Sequence, residues 1–382
     1  MRFLFLNQYG PPDPAPTARL LGELAEALRA QGHTVEVLSQ RQSYQGRPAR
    51  GGRLRRELGA AWTILRAGWR PRPIDRRPDV VLALSSPPGL LVVAALLARR
   101  HRARLAHWAM DLYPELAVAL GEIKAGSPVA RVVGAAMRWA YRRALLVVAL
   151  DEDMRDHLQA FCRVPVQTLP PWSDPATERQ ADNAAQNGAS PEPGVCLYSG
   201  NLGRAHEWQT LLDAQALLEQ RGLPVSLVFQ GDGAGRAAAQ TYANNLGLRR
   251  CYWKDYAAKD QLLSTLLAAQ VLVVTQRLET RGLLWPSKLA LLERLSRPVL
   301  FVGPTGGAIT RRLHTRGNAG AFAPGESEAV ARWIEDVVRS KNTPDSVPME
   351  KPPDFATQVS SLQRWLVECG KRPMKAEQNE GR

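Results

Sequence analysis

Two doubly wound α/β domains, each a mostly parallel sheet flanked by helices, are predicted by three features of the 382-residue chain. Strand-length apolar runs alternate with helix-period segments twice, over 1–172 and again over 195–340. Between the two series, 173–194 is polar, rich in Ala, Asn, Gln and Pro, and without periodicity, which reads as a linker. Glycine- or arginine-bearing loops follow strands in both halves, at the carboxyl edge where such sheets bind ligands.

The first series opens with the apolar strand Arg2–Asn7, stopped by Tyr9-Gly10-Pro11-Pro12-Asp13-Pro14. Thr17 is placed as the cap of a helix carrying Leu20, Leu21, Leu24, Ala25 and Leu28, closed by Gly32, and Thr34–Leu38 is the next strand. This βαβ unit lacks GxGxxG, which argues against a dinucleotide site. Leu54–Trp69 reads as an amphipathic helix, with Leu54, Leu58, Ala61, Trp62, Leu65 and Trp69 on one stripe and Arg55, Arg56, Arg66 and Arg70 off it. Two readings stand for it: contact with an anionic membrane through Arg55, Arg56, Trp62, Arg66 and Trp69, or packing on its own domain with a solvated basic face.

Strand 79–85, helix 90–101 and strand 103–108 lead to Asp111-Leu112-Tyr113-Pro114-Glu115. There Asp111 either meets a sugar hydroxyl or a nucleophile, or caps the next helix. Helix 135–144 and strand 145–150 precede Asp151-Glu152-Asp153, a formal DxD metal motif whose position at a helix start favours capping. Strand 166–169 and Pro170-Pro171-Trp172 close the first domain.

In the second series, strand 195–199 is followed by Gly200-Asn201-Leu202-Gly203-Arg204-Ala205-His206, where glycines permit close backbone approach and Arg204 offers a planar phosphate donor. Strand 225–230 runs into Gly231-Asp232-Gly233, a weak nucleotide fingerprint because position 236 is Arg. Strand 271–275 leads to the stretch on which the functional reading turns. Here a helix is expected to start at Trp285-Pro286-Ser287-Lys288, with strand 298–302 and the turn Gly303-Pro304-Thr305-Gly306-Gly307 after it. Pro286 suits a first helical turn, and Ser287, Lys288 and the Gly306 and Gly307 amides together suit a diphosphate. An ordinary helix start with a solvated lysine is the other reading. Helices 326–339 and 355–368 and a frayed tail, 370–382, complete the chain, with helix 355–368 a candidate to pack back on the first domain.

Composition narrows the classes. The net charge of +14 points to an anionic partner, and eleven arginines fall between Arg41 and Arg77. No apolar run is long enough to span a bilayer. The four cysteines, Cys162, Cys196, Cys251 and Cys369, have no zinc spacing and fit reduced thiols in the cytosol. Basic residues are not interleaved with aromatics on a platform, and no helix-turn-helix or RNA-recognition pattern appears, so a nucleic-acid-binding protein is the lesser alternative.

With these motifs in order, the sequence resembles family four of the retaining GT-B glycosyltransferases, in particular the colanic-acid and O-antigen type. The resemblance rests on DLYPE at 111–115, PPWSD at 170–174, YSGNLGRAHEW at 198–208, QGDG at 230–233 and WPSKLALL…RPVLF at 285–301, and covers about residues 1–340. It implies two Rossmann-like domains facing across a cleft. It also implies metal-independent transfer, with no cofactor, from a nucleotide-sugar donor to a lipid-linked saccharide acceptor, of hexosyl or N-acetylhexosaminyl type. The expected location is the cytoplasmic, anionic face of the inner membrane, in lipopolysaccharide or exopolysaccharide synthesis, with no nucleic acid.

Carried over by position, Arg204 and Lys288 would neutralise the leaving diphosphate, assisted by Pro286, Ser287, Gly306 and Gly307. Gly200, Asn201, Gly203, Gly231, Asp232 and Gly233 would line the donor, while Gly10, Thr17, Asp111 and Glu115 would face acceptor and transferred sugar. Asp111 joins Arg204 and Lys288 as a catalytic candidate. The sequence departs from the family's pair of glutamates, since those positions are Leu283 and Leu291, with Glu279 and Glu293 out of register. Met110 stands where a histidine often precedes the acid, with His107 nearby. A sugar-nucleotide epimerase of the same fold would want more histidines and carboxylates in the loops.

Overall fold

The structure, a computed structural model, describes residues 1–40, 52–186, 190–340 and 353–373. Arg41, Arg47, Arg50 and the tail from 374 therefore lie outside the described residues, as do the side chains of 52–54. The chain divides into two compact units, one of Met1–Pro170, Gly282–Trp285 and Ala356–Arg382, the other of Pro171–Arg281 and Pro286–Phe355.

The first unit contains β1 (Arg2–Leu6), α1 (Pro16–Ala30), β2 (Thr34–Leu38), α2 (Gly52–Gly68), β3 (Val80–Ala83), α3 (Leu90–His101) and β4 (Arg104–Trp108). It continues with α4 (Glu115–Ala119), α5 (Pro128–Tyr141), β5 (Ala144–Ala149), α6 (Glu152–Gln159) and β6 (Gln167–Thr168). Its six strands are parallel, in the order β2-β1-β3-β4-β5-β6. The second unit holds α7 (Pro175–Gln186), β7 (Glu192–Ser199), α8 (Gln209–Gln220), β8 (Ser226–Gln230), α9 (Arg236–Asn245), β9 (Cys251–Lys254), α10 (Leu262–Ala268) and β10 (Ala269–Thr275). After these come α11 (Leu289–Leu292), β11 (Val299–Val302), α12 (Ala308–His314), β12 (Ala319–Phe322) and α13 (Ser327–Arg339), and its parallel sheet runs β12-β11-β10-β7-β8-β9. A last helix, α14 (Phe355–Lys371), meets the first unit: Gln31 donates to Gln363 at 3.3 Å, and Arg372 donates to the Leu145 carbonyl at 2.6 Å.

Strand order reverses between β7 and β10 in the second sheet and between β1 and β3 in the first. At such a point neighbouring connections leave in opposite directions and open a crevice at the carboxyl ends. The loops after β7 and β10 carry Gly200–His206 and Arg277–Lys288, so the second unit places its phosphate candidates at its switch point.

Several elements differ from the sequence reading. The linker contains α7, whose buried Glu178 and Ala181 tie it to the second unit. Thr17 is not the cap of α1: the helix starts at Pro16, where the missing N–H costs nothing, and the Thr17 hydroxyl accepts from Asn7 Nδ2 at 3.0 Å. Asp111 does not cap α4, whose N-cap position is Pro114 with no side-chain bond. Asp151, by contrast, caps α6 by accepting from the Met154 N–H at 2.7 Å.

The largest difference is at Pro286. Helix α11 has four residues only, with Lys288 at its N-cap and Pro286 in the preceding turn. The buried Arg316 braces the segment that follows by donating to the carbonyls of Glu293, Leu295 and Arg297. After Leu292 the chain tightens through Arg294 N to Leu291 O and Leu295 N to Leu292 O. One turn builds little macrodipole. Attraction for an anion must therefore come from the lysine itself.

Helix α2 is also turned relative to the expected stripe. Ala60, Ile64 and Gly68 face inward, His101 Nε2 donates to the Gly68 carbonyl at 2.8 Å, and Leu58 and Trp62 stand exposed. Trp69 lies just beyond the helix, and Arg56 is half-buried with its Nε shielded, unlike Arg55 and Arg66.

Candidate active site

The site in the second unit is built on two loops locked together by backbone. Gly200 N donates to Gln230 O at 2.8 Å, Leu202 N to Asp232 O at 2.7 Å, and Gly235 N to Leu202 O at 2.8 Å. Only glycine fits at two of these positions. Gly231 and Gly233 have φ of 130° and 140°. A Cβ would lie 2.2 Å from the Gly200 oxygen at the first and 2.4 Å from Asn201 Oδ1 at the second. Gly233→Ala is expected to destabilise the protein by at least about 2 kcal/mol, read by urea unfolding, because strained backbone and overlap add.

Lys288 is the unusual group. Its Nζ is shielded from solvent and has no hydrogen-bond partner among the described residues, although part of its stem is exposed. It sits 3.2 Å from the centre of the Tyr198 ring. A Cβ at Gly200, φ 133°, would come within 3.3 Å of both Cε and Nζ, so the glycine leaves the lysine its room. Ring attraction contributes about 2 kcal/mol at a dry site. Removing an ammonium from water without hydrogen bonds costs several times that, so burial wins. The amine is accordingly held well below the ordinary lysine range by burial.

Beside it, His206 makes an edge contact with the Tyr198 ring, centroids 5.8 Å apart, and its Nδ1 lies 2.9 Å from the Thr275 carbonyl. A carbonyl can only accept, so Nδ1 carries the proton and Nε2 keeps a lone pair. Burial first, then the charge of Lys288, lowers this histidine to about 4, so it is neutral in the cell's pH range. Arg277 N donates to Ala205 O at 2.9 Å, which fastens the loop after β10 to the loop after β7. Next to these loops lies a cavity of about 360 Å³, lined by Gly203, Arg204, His206, Trp208, Arg277 and Glu279 among others.

The loops after β7 and β8 carry Gly200, Asn201, Gly203, Arg204 and Asp232, and Lys288 lies against Tyr198 and Gly200 at the end of β7, outside the lining of that cavity. Arg204 is exposed at the cavity, and Lys288 reaches the same loop through Tyr198 and His206. Ser287 is exposed and Pro286 buried. Gly306 and Gly307 precede α12, a helix of seven residues, and the Gly306 carbonyl accepts from Arg311 at 2.9 Å. Neither family-type glutamate is replaced by a neighbour. Glu279 pairs with Arg277 at 3.4 Å on the cavity wall, and Glu293 is buried against Arg312 at 2.6 Å.

The acceptor candidates belong to the first unit. Gly10 is buried, its Cα side against Ser39. Asp111 pairs across an antiparallel bridge with Leu284, and Leu112 N donates to Leu283 O at 2.8 Å. Glu115 opens α4. Gly10 and Thr17 follow β1 and Asp111 follows β4, with β3 between those strands. Sequence reasoning passed over Tyr198 and His206, whose only signal was their place in the glycine-rich loop segment.

Comparison with known proteins settles the family. The family model for a glycosyl transferase 4-like domain matches residues 17–172, and that for glycosyl transferases group 1 matches 179–347. The chain belongs to the family-four GT-B glycosyltransferases. Among curated proteins, this glycosyltransferase is 26% identical over 269 residues to "Probable glycosyltransferase WbjE" of Pseudomonas aeruginosa. That match spans 69% of this chain and 66% of WbjE, just under two thirds. It is 25% identical over 321 residues to "Putative colanic acid biosynthesis glycosyl transferase WcaI" of Escherichia coli K12, across 73% of this chain and 77% of that one. Among solved structures, the GT-B fold is shared with Anabaena Alr3699/HepE, crystallised with UDP and glucose. The TM-score is 0.66 at 18% identity, covering 96% of this chain and 100% of that one.

Proposed function

We propose that this glycosyltransferase moves a hexosyl or N-acetylhexosaminyl group from a nucleotide sugar to a lipid-linked saccharide, with retention and without a metal, in bacterial surface polysaccharide synthesis. The observation that carries the reading is the dry, unpartnered Lys288 amine beside a loop that presents Arg204. A buried amine with no counter-charge among the described residues is complementary to an arriving diphosphate, and such complementarity stabilises charge as it develops on the leaving group. In this mechanism Arg204 and Lys288 hold the departing diphosphate, whose oxygen takes the proton of the acceptor hydroxyl on the same face. Asp111 orients the transferred sugar or the acceptor. The relative named for colanic acid biosynthesis and the UDP complex of HepE support the same substrate class.

A panel of nucleotide sugars tests this directly. One of them should raise the melting temperature and release UDP or GDP slowly in the absence of acceptor. If no nucleotide sugar stabilises the protein, the reading fails.

The acceptor's lipid places the enzyme at the anionic cytoplasmic face of the inner membrane. Support comes from α2, where Leu58 and Trp62 are 63% and 65% exposed between Arg55 and Arg66. No helix among the described residues is long and apolar enough to cross a membrane, so attachment would be peripheral. Trp62→Glu with Trp69→Glu is expected to lower partitioning onto phosphatidylglycerol-containing vesicles by more than about tenfold in a sedimentation assay. The inner face of α2 is untouched by these changes, so unaltered partitioning would return the helix to solvent.

A further inference from the structure

Lys288 raises a question that charge neutralisation alone does not answer: why an amine intended for phosphate rests on an aromatic ring. We infer that Tyr198 is a positioning residue whose ring face seats Lys288 in a dry resting place, and that capture of a diphosphate is coupled to uptake of a proton from solvent by that amine. The inference deepens the function proposed above and rests on it.

Three geometric facts carry it. Nζ lies 3.2 Å from the ring centre, is shielded from water and has no hydrogen-bond partner among the described residues. Gly200, the residue two beyond Tyr198, has φ 133°, and a Cβ there would come within 3.3 Å of Cε and Nζ, so the lysine would have to give by a few tenths of an ångström. Tyr198 is itself fully buried and anchored, its hydroxyl donating to the Asn201 carbonyl at 2.8 Å, so the seat is rigid. The ring face attracts the cation, but burial opposes it and outweighs it, favouring the uncharged amine.

The ionisable groups facing Lys288 do not supply the missing counter-charge. Tyr198 on β7 is pushed upward by burial, with Tyr256 adding to the effect, and stays neutral. His206 is lowered to about 4 and is neutral too. Among the described residues nothing offers this amine a negative charge at close range, so an incoming diphosphate supplies it. Binding favours the ammonium, and the balance is one amine plus one proton from the buffer giving one ammonium, with no bond to carbon made or broken.

Linkage fixes the sign. Where the free amine is partly deprotonated and the bound one protonated, affinity falls as pH rises, by at most about tenfold per pH unit, and levels off above the bound pKa. Calorimetry of UDP, GDP and inorganic pyrophosphate at about pH 8.5, in buffers of different ionisation enthalpy, reads the uptake. At that pH the terminal phosphate of UDP or GDP, which loses its last proton at about pH 6, contributes nothing, whereas pyrophosphate still exchanges its last proton and serves only to test binding.

The wild-type protein is expected to take up a measurable fraction of a proton on binding. Lys288→Arg should bind with no uptake and a flat pH profile, since guanidinium never deprotonates in this range. Tyr198→Phe keeps the ring and should keep the uptake. Tyr198→Ala lets water reach the amine and should at least halve it. Should Tyr198→Ala fail to fold, the comparison of wild type, Tyr198→Phe and Lys288→Arg decides. Binding without proton uptake in the wild type, or uptake that persists in Lys288→Arg, overturns the inference and leaves the diphosphate site standing. Failure of all three ligands to bind removes both.

Discussion

Lys288→Ala is expected to reduce turnover of the nucleotide-sugar donor by more than tenfold while leaving the protein as stable as before, or more so. The first half follows from chemistry: a cation held at a leaving diphosphate stabilises charge that appears only as the bond breaks, and such contacts contribute a few kcal/mol. The second half follows from burial. In the free protein the amine is dry and unpaired, so its removal relieves a desolvation cost rather than breaking a favourable bond. Donor-dependent release of nucleoside diphosphate and a thermal melt check the two halves separately. Full activity in the variant would take Lys288 out of the site, and a sharp fall in melting temperature would assign it to the core.

Arg294→Ala is expected to do the opposite, costing about 3–5 kcal/mol of stability because it leaves a buried carboxylate uncompensated. Arg294 and Glu178 are 4% and 5% exposed, with Nε of one 3.1 Å from Oε1 of the other. Arg294 also donates to the Pro353 carbonyl at 2.9 Å. Glu178 takes the Ser173 hydroxyl at 2.7 Å and the Phe355 N–H at 3.3 Å. The pair thus pins the start of α7 and the approach to α14 to the turn that follows α11. Replacing both partners with apolar residues of similar volume should cost far less than either single change. Urea unfolding of the two single variants and the double variant measures this, and additive losses would show that the pair is not coupled.

The contrast between these residues shows what could be seen without coordinates. Strands such as β3, β5 and β10 are buried on both faces, so unbroken apolar runs announce them. β12, Ala-Gly-Ala-Phe, has no β-branched residue and takes its strand form from pairing with β11. The polarity of 173–194 concealed α7, because the residues that hold it, Glu178 above all, are buried charges rather than apolar ones. In α2 the large side chains drew the eye to one stripe, whereas the packed face uses Ala60, Ile64 and Gly68, where smallness admits Leu97 of α3. α5 begins at Pro128 after the Ser127 cap, seven residues before the helix expected at 135–144, because a serine cap followed by proline starts the helix ahead of its densest apolar stretch.

The candidate site was legible to the extent that its chemistry is local. Arg204 and Lys288 stand in recognisable motifs, and the glycines around them have few other uses. Tyr198 and His206 could not be read this way. An aromatic at a strand end and a histidine in a loop acquire their roles only when β7 and β10 lie side by side and Lys288 arrives on the ring. Arg316, twenty-eight positions after Lys288, braces the segment after α11 through the carbonyls of Glu293, Leu295 and Arg297, a contact no pattern within the helix could announce.

The backbone lock between Gly200–Leu202 and Gly231–Gly235 has a consequence for anyone recombining this enzyme with its relatives. Because each loop fills space that the other must leave empty, they form one inheritable cassette. A chimera that imports 198–208 without 230–235 pairs mismatched surfaces and should express poorly, whereas exchanging both together offers a route to altered donor choice.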